Sequence, residues 1–148
     1  MKLSKRGFSI VELLVVIAIM ATLITLLLPN FVNVRQKGQD SRRKLDLEQI
    51  RSALEQYRSV NGYYPTSLNT LTAPTVYISR LPTDPTTSSS YQFTALPSGC
   101  DNTTTTCSDY VIGALLSTPP TVTCNILPSS ACSGLTVCNY CLGPYGAK

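Results

Sequence analysis

The feature that most constrains this 148-residue chain is an apolar run from Ile10 to Leu28, interrupted only by Glu12, Thr22 and Thr25. At 1.5 Å per residue it makes a helix of roughly 28 Å, about the thickness of a bilayer core. A helix that is apolar on every face cannot remain uncovered in water. Lipid or other chains must cover it. A secretory signal peptide would end in an A-x-A-like cleavage site. This run ends in Leu26-Leu27-Leu28-Pro29-Asn30, with no such site after it. A plain membrane anchor has to account for Glu12, because an ionised carboxylate in hydrocarbon is costly and normally has a partner or a task. Glu12 enters only two residues into the run, so escape to the interface keeps the plain anchor as an alternative.

The charge is unevenly placed. Lys2, Lys5 and Arg6 supply three of the net +4, ahead of the run. Arg35, Lys37, Arg42, Arg43 and Lys44 follow it, so charge counting alone does not orient the segment. From Leu81 to Ala147 there is no basic residue, against Asp84, Asp101 and Asp109. A uniform nucleic-acid-binding surface does not fit that distribution. The chain has no histidine, which excludes Ser-His-Asp and Cys-His catalysis and His-ligated metals. None of its eight glycines forms a phosphate-cradling loop.

The segment Lys5-Arg6-Gly7-Phe8-Ser9-Ile10-Val11-Glu12-Leu13-Leu14 resembles the leader and mature start of type IV pilins and pseudopilins. That resemblance implies cleavage by a prepilin peptidase between Gly7 and Phe8, and N-methylation of Phe8. It makes Glu12 the fifth mature residue, the family's acid position. It further implies an α+β, type IV pilin-like fold. A long N-terminal helix would have a protruding apolar half and an amphipathic half packed on a small antiparallel sheet. The expected divisions are a leader at 1–7, a membrane and filament-core helix at 8–30, the amphipathic half at 31–60, and a globular head at 61–148. The implied role is a structural subunit rather than an enzyme, assembled with its own copies into an extracellular filament. The assembly residues would be Phe8, Glu12 and Pro29. A prepilin peptidase, an assembly ATPase and a platform membrane protein are the implied partners, and the precursor would sit single-pass in the membrane. A pseudopilin of a type II secretion-like machine and a membrane-anchored adhesin or DNA-uptake module are the alternatives.

Beyond the run, Pro29 removes a backbone donor and should kink or loosen the helix, and Gly38 adds a second weak point. Leu47, Ile50, Leu54 and Tyr57 then recur at spacings of 3, 4 and 3, a stripe that should face a sheet. Asn61-Gly62 marks the helix end. The run Arg42-Arg43-Lys44 reads as a solvated face or as intersubunit pairs with Asp40, Asp46 and Glu48. Contact with DNA phosphates is its functional alternative. Asn61-Gly62-Tyr63-Tyr64-Pro65-Thr66-Ser67-Leu68 with Leu71, then Leu81-Pro82-Thr83-Asp84-Pro85 and Tyr91-Gln92-Phe93, resemble the corresponding stretch of major pseudopilins of type II secretion. Ser67 or Thr66 should cap a short turn, and Tyr63 and Tyr64 should pack.

Strands are expected at Tyr91–Ala95, Asp109–Leu115 and Thr121–Ile126. All six cysteines lie beyond residue 99, which points to structural disulfides in a small extracytoplasmic head. Cys100 with Cys107 closes a hairpin loop. Cys124 with Cys132 and Cys138 with Cys141 are the nearest-neighbour pairs, and a crossed arrangement is equally open. Zinc or redox use of Cys138-x-x-Cys141 is the lesser reading. Asp84, Asp101 and Asp109 are sparse for the calcium site that major pseudopilins often carry. No cofactor or metal is therefore assigned. Asn102-Thr103-Thr104 is a possible glycosylation sequon.

Overall fold

The computed structural model describes residues 7–118, 124 and 138–147, with backbone only at 26–30. One helix, α1 (Ile10–Asn61), precedes a short 3-10 turn at Leu68–Leu71 and four strands. These are β1 (Gln92–Leu96), β2 (Asp109–Ala114), β3 (Tyr140–Gly143) and β4 (Gly146–Ala147). The expected α+β arrangement is present. The chain divides into two compact units, Met1–Gln36 and Lys37–Lys148.

α1 covers 52 residues, or about 78 Å of helix. The weak points expected at Pro29 and Gly38 do not interrupt it. One proline removes one donor, and the neighbouring turns keep theirs. In the first unit every described large apolar side chain from Phe8 to Ile24 is between 42% and 76% exposed. Among the described residues no helix is long and apolar enough to cross a membrane. The end of the Ile10–Leu28 run falls in the backbone-only stretch.

The second unit holds the core. Leu47, Ile50 and Leu54 are fully buried and Tyr57 packs beside them, so the period read from the sequence is the face that meets the sheet. Burying each such aliphatic side chain contributes roughly 1.5–3 kcal/mol. Opposite them lie Tyr64, Leu71, Tyr91, Tyr110, Ile112, Ala114 and Leu142. The helix ends as expected: Gly62 takes a positive φ of 82°, and its N–H donates to Arg58 O at 2.7 Å. Ser67 Oγ accepts from Asn69 N, capping the turn that carries Leu71 into the core.

The sheet is antiparallel in the order β1-β2-β3-β4. Phe93 pairs with Ile112, Ile112 with Leu142, and Leu142 with Ala147. Alternation along β2 sends Tyr110, Ile112 and Ala114 toward α1 and leaves Val111 on the other face. There Val111 is buried with Cys124, Cys138 and Cys141, and Leu96 packs against them. The sheet is thus covered twice, by the helix and by a sulfur-rich layer. The strands expected at Tyr91–Ala95 and Asp109–Leu115 appear within a residue of their bounds, whereas Thr121–Ile126 lies almost wholly outside the described residues. β3 and β4 were not anticipated. They are short, and Gly143-Pro144-Tyr145-Gly146 is the turn between them.

Candidate functional site

The N-terminal group is built on the start of α1. Gly7 and Phe8 are exposed and non-helical, ahead of Ser9. Ser9 O accepts from Leu13 N at 3.3 Å and Ser9 Oγ from Val11 N at 3.4 Å, which satisfies donors that begin the helix without partners. Glu12 lies in the first turn, where a carboxylate meets the positive end of the helix dipole. Thr22 donates to Ile19 O at 2.8 Å and Thr25 to Thr22 O at 2.8 Å. Both hydroxyls are satisfied inside the helix, as an apolar surrounding requires. Among the described residues, Glu12 is therefore the one polar interruption of the run left to find a partner elsewhere. Pro29 lies within α1, in the stretch described by backbone alone.

The basic triplet after the run is not one solvated face. Arg43 is buried, and its guanidinium ties three segments together. Nε donates to Asp84 at 2.6 Å, Nη1 to Asp40 at 2.8 Å, and Nη2 to Thr86. Asp40, also buried, accepts from the N–H groups of Ser117 and Thr118 at 2.8 and 2.9 Å. Burial would raise the Asp40 pKa, but these backbone donors and Arg43 bring it below its ordinary value. Burial likewise opposes ionisation of Asp84, and Arg43 with the Thr86 and Thr87 N–H groups holds it well below the carboxylate range. The hydrogen bond from Arg43 to Asp84 in turn raises the arginine pKa. Lys44 instead lies over the Tyr140 ring, 5.3 Å from its centroid. Arg42 and Lys44 are both exposed without an ion pair among the described residues, and of the two only Arg42 has no ring contact either. The Asp40–Arg43 pair is thus intramolecular and structural, in place of the solvated or intersubunit role expected for it.

A second polar group closes the far end of the head. Tyr64 donates to Glu55 at 3.0 Å and accepts from Arg58 at 2.9 Å, while Tyr110 donates to Glu55 at 3.3 Å. Burial, with Glu55 beside it, pushes the Tyr64 pKa up to about 12. Tyr64 and Tyr110 meet edge to face at 4.6 Å. Tyr63 packs edge-on against Tyr57 at 6.2 Å. Both tyrosines therefore take the packing role expected of them.

The three aspartates weighed for calcium are not brought together. Among the described residues no three His, Cys, Asp or Glu side chains cluster for a metal. Asp84 is committed to Arg43. Asp101 is committed to its own loop. Its carboxylate accepts from the Thr103 hydroxyl and from the N–H groups of Thr105, Thr103 and Thr104, which hold its pKa well below the ordinary range. Asp109 opens β2 and accepts from Tyr110 N at 2.7 Å. Asn102 is equally engaged: Nδ2 donates to Tyr64 O at 2.8 Å and Oδ1 accepts from Cys107 N at 2.8 Å. A glycan on that amide would replace one of the two hydrogens of Nδ2, the atom that donates to Tyr64 O.

Cys100 and Cys107 form the expected disulfide. Cys124 is joined to Cys141, not to Cys132, and so Cys138 and Cys141 are not a pair. Cys138 is disulfide-bonded as well. That bond ties Cys124 to β3, a staple that nearest-neighbour pairing would not supply. Cys132 lies outside the described residues.

A long helix with an exposed apolar sleeve, a buried stripe on a small antiparallel sheet and a disulfide-bearing head define the class of type IV pilin-like subunits. Residues 2–28 match the prokaryotic N-terminal methylation motif. The chain is 36% identical to type II secretion system core protein G of Klebsiella michiganensis over an alignment of 97 residues, covering 55% of this chain and 68% of that protein. It is 34% identical to the protein of the same name from Escherichia coli, covering 55% and 66%. With that from Aeromonas hydrophila it shares 32% identity, covering 57% and 69%. No solved structure matches. The chain belongs to the family of type II secretion system core protein G and is a pilin-like subunit with a prepilin leader.

Proposed function

We propose that this chain is the structural subunit of a type IV pilus-like extracellular filament. The precursor sits in the membrane through the Ile10–Leu28 segment. A prepilin peptidase cuts between Gly7 and Phe8 and methylates the new Phe8 amine. The cut removes Lys2, Lys5 and Arg6 and leaves the apolar helix attached to the head. An assembly ATPase and a platform membrane protein then transfer the helix from lipid into a bundle of its own copies. The observation that carries this reading is the sleeve itself. Its described apolar side chains are exposed all round, and its threonine hydroxyls are satisfied internally.

Lipid is as apolar as the helices, so burial alone does not drive the transfer. Packing between copies must contribute, together with a polar contact unavailable in lipid. The Phe8 ammonium of one copy and Glu12 of another supply that contact. Removing one partner of such a buried pair costs about 3–5 kcal/mol, so the pair sets register among copies. Glu12→Leu should therefore leave precursor in the membrane while abolishing normal filaments. Normal filaments from that variant would refute the pairing.

A short pseudopilus within a secretion machine is the second reading, favoured by the name its relatives carry. Intact mass of material sheared from the cell surface decides between them. Loss of residues 1–7, one added methyl and six missing hydrogens in that fraction supports the surface filament. The same processed mass confined to the envelope supports the pseudopilus. Unprocessed protein found only in membranes refutes both.

A further inference from the structure

Once the head's internal pairs are set aside, three described cations are left over, Lys37, Arg42 and Arg80. Arg43 is paired with Asp40 and Asp84, and Arg51 with Glu48. Arg58 donates to Tyr64, and Lys44 lies over Tyr140. Arg42 and Arg80 are exposed, and among the described residues neither has an ion-pair partner. They are 38 positions apart in sequence, yet folding brings both to the wall of one groove of about 280 Å³. Asp46, Leu81, Pro82 and Thr83 complete its lining.

Two unpaired guanidiniums on one groove repel each other, and a fold gains nothing from that placement. Asp46, in the same lining, offsets part of the charge, and its carboxylate already accepts from the Tyr91 hydroxyl at 2.7 Å. The groove is thus open, net positive and equipped with planar forks suited to phosphate oxygens. We propose that the Arg42–Arg80 groove binds the backbone phosphates of a phosphodiester polymer. Of the Arg42-Arg43-Lys44 triplet only Arg42 takes part, since Arg43 is paired with Asp40 and Asp84 and Lys44 lies over Tyr140. A single groove makes a weak site. Repetition along a filament makes it multivalent, and only that gain in avidity rests on the proposed function.

The test uses the full chain in neutral detergent micelles, so binding is read without a filament. Fluorescence anisotropy is followed with a labelled DNA duplex, with poly(glycerol phosphate) and with polyglutamate, across a salt series. Arg42→Gln with Arg80→Gln should weaken phosphodiester binding by about tenfold and lower the salt slope on DNA by about two. Arg51→Gln removes the same charge as either single change and should alter binding less than twofold. Near-ultraviolet circular dichroism verifies that each variant is folded, and electron microscopy of the producing cells reports filaments separately. Binding to both phosphate polymers, or to DNA alone, supports the proposal and names the source of the phosphate. Unchanged binding in the double variant, an equal loss in Arg51→Gln, polyglutamate binding as tight as DNA, or no binding to either phosphate polymer would overturn it.

Discussion

Replacing Arg43 by leucine tests the most consequential contact in the head. The side chain is only 6% exposed and faces Asp40 and Asp84, whose side chains are 9% and 14% exposed. The substitution leaves two carboxylates without their cation in a poorly solvated place. Breaking a buried pair from one side costs about 3–5 kcal/mol. The lower end applies, because Asp40 keeps the Ser117 and Thr118 N–H groups and Asp84 keeps those of Thr86 and Thr87. A loss of about 3 kcal/mol lowers the melting point of a domain this size by about 10–20 °C. Near-ultraviolet circular dichroism of the tyrosines reads the head without the helix signal of the sleeve. Arg42→Leu, one position away and exposed, should stay within about 0.5 kcal/mol. Asp84→Ala should be non-additive with Arg43→Leu, since each removes the same pair. The pH dependence follows with a definite sign. Asp40 and Asp84 both have folded-state pKa values below the ordinary 3.8. Their contribution is complete above that value and is lost as pH falls below it. A loss under about 1 kcal/mol for Arg43→Leu, or an equal loss for Arg42→Leu, would refute the reasoning.

Other perturbations separate the remaining supports. Leu54→Ala empties a fully buried position between helix and sheet and should cost about 2–5 kcal/mol in chemical unfolding. Replacing Cys100 and Cys107 by serine opens a loop of sequence separation 7 and should cost about 2–3 kcal/mol, read as a lower denaturant midpoint. Asn102→Ala removes the bridge between Tyr64 O and Cys107 N and should destabilise by about 1–3 kcal/mol, whereas Thr106→Ala, exposed in the same loop, should not.

What was legible in the sequence was local. Leu47, Ile50 and Leu54 announce their shared face because a helix repeats every 3.6 residues, whatever lies opposite. Asn61-Gly62 announces the stop because the positive φ observed at Gly62 disfavours a side chain. Arg43 could not be read this way. Its nearest clue, Asp40 three residues before it, is also the pattern of an ordinary solvated pair. What buries the pair is Asp84, 41 positions away, and Ser117, 77 positions from Asp40. Strands β3 and β4 were missed for another reason. Four residues and two residues carry too little alternation to announce a strand, and β3 is covered on both faces. Cysteine pairing was legible only in part: Cys100 and Cys107 close a short loop and pair as expected, whereas nothing local ranks the crossed arrangement of the others against nearest-neighbour pairing.

The two units meet the same requirement by opposite means. Among the described residues the head leaves no buried side-chain polar atom without a partner. Arg43, Asn102, Glu55 and Asp101 each close a circuit within the chain, so the head can fold without help from a neighbour. The sleeve cannot follow that course. Its backbone and threonines are satisfied by the helix, but its described apolar side chains are exposed and Glu12 has no partner among the described residues. A chain built this way places its demand for other molecules in one segment, and a single charge there distinguishes one covering from another. Lipid can cover the leucines, isoleucines and valines as well as other copies can. Only a covering that brings a cation to Glu12 removes the last cost, and the Phe8 amine that the proposed cleavage would free is the cation the chain itself can provide.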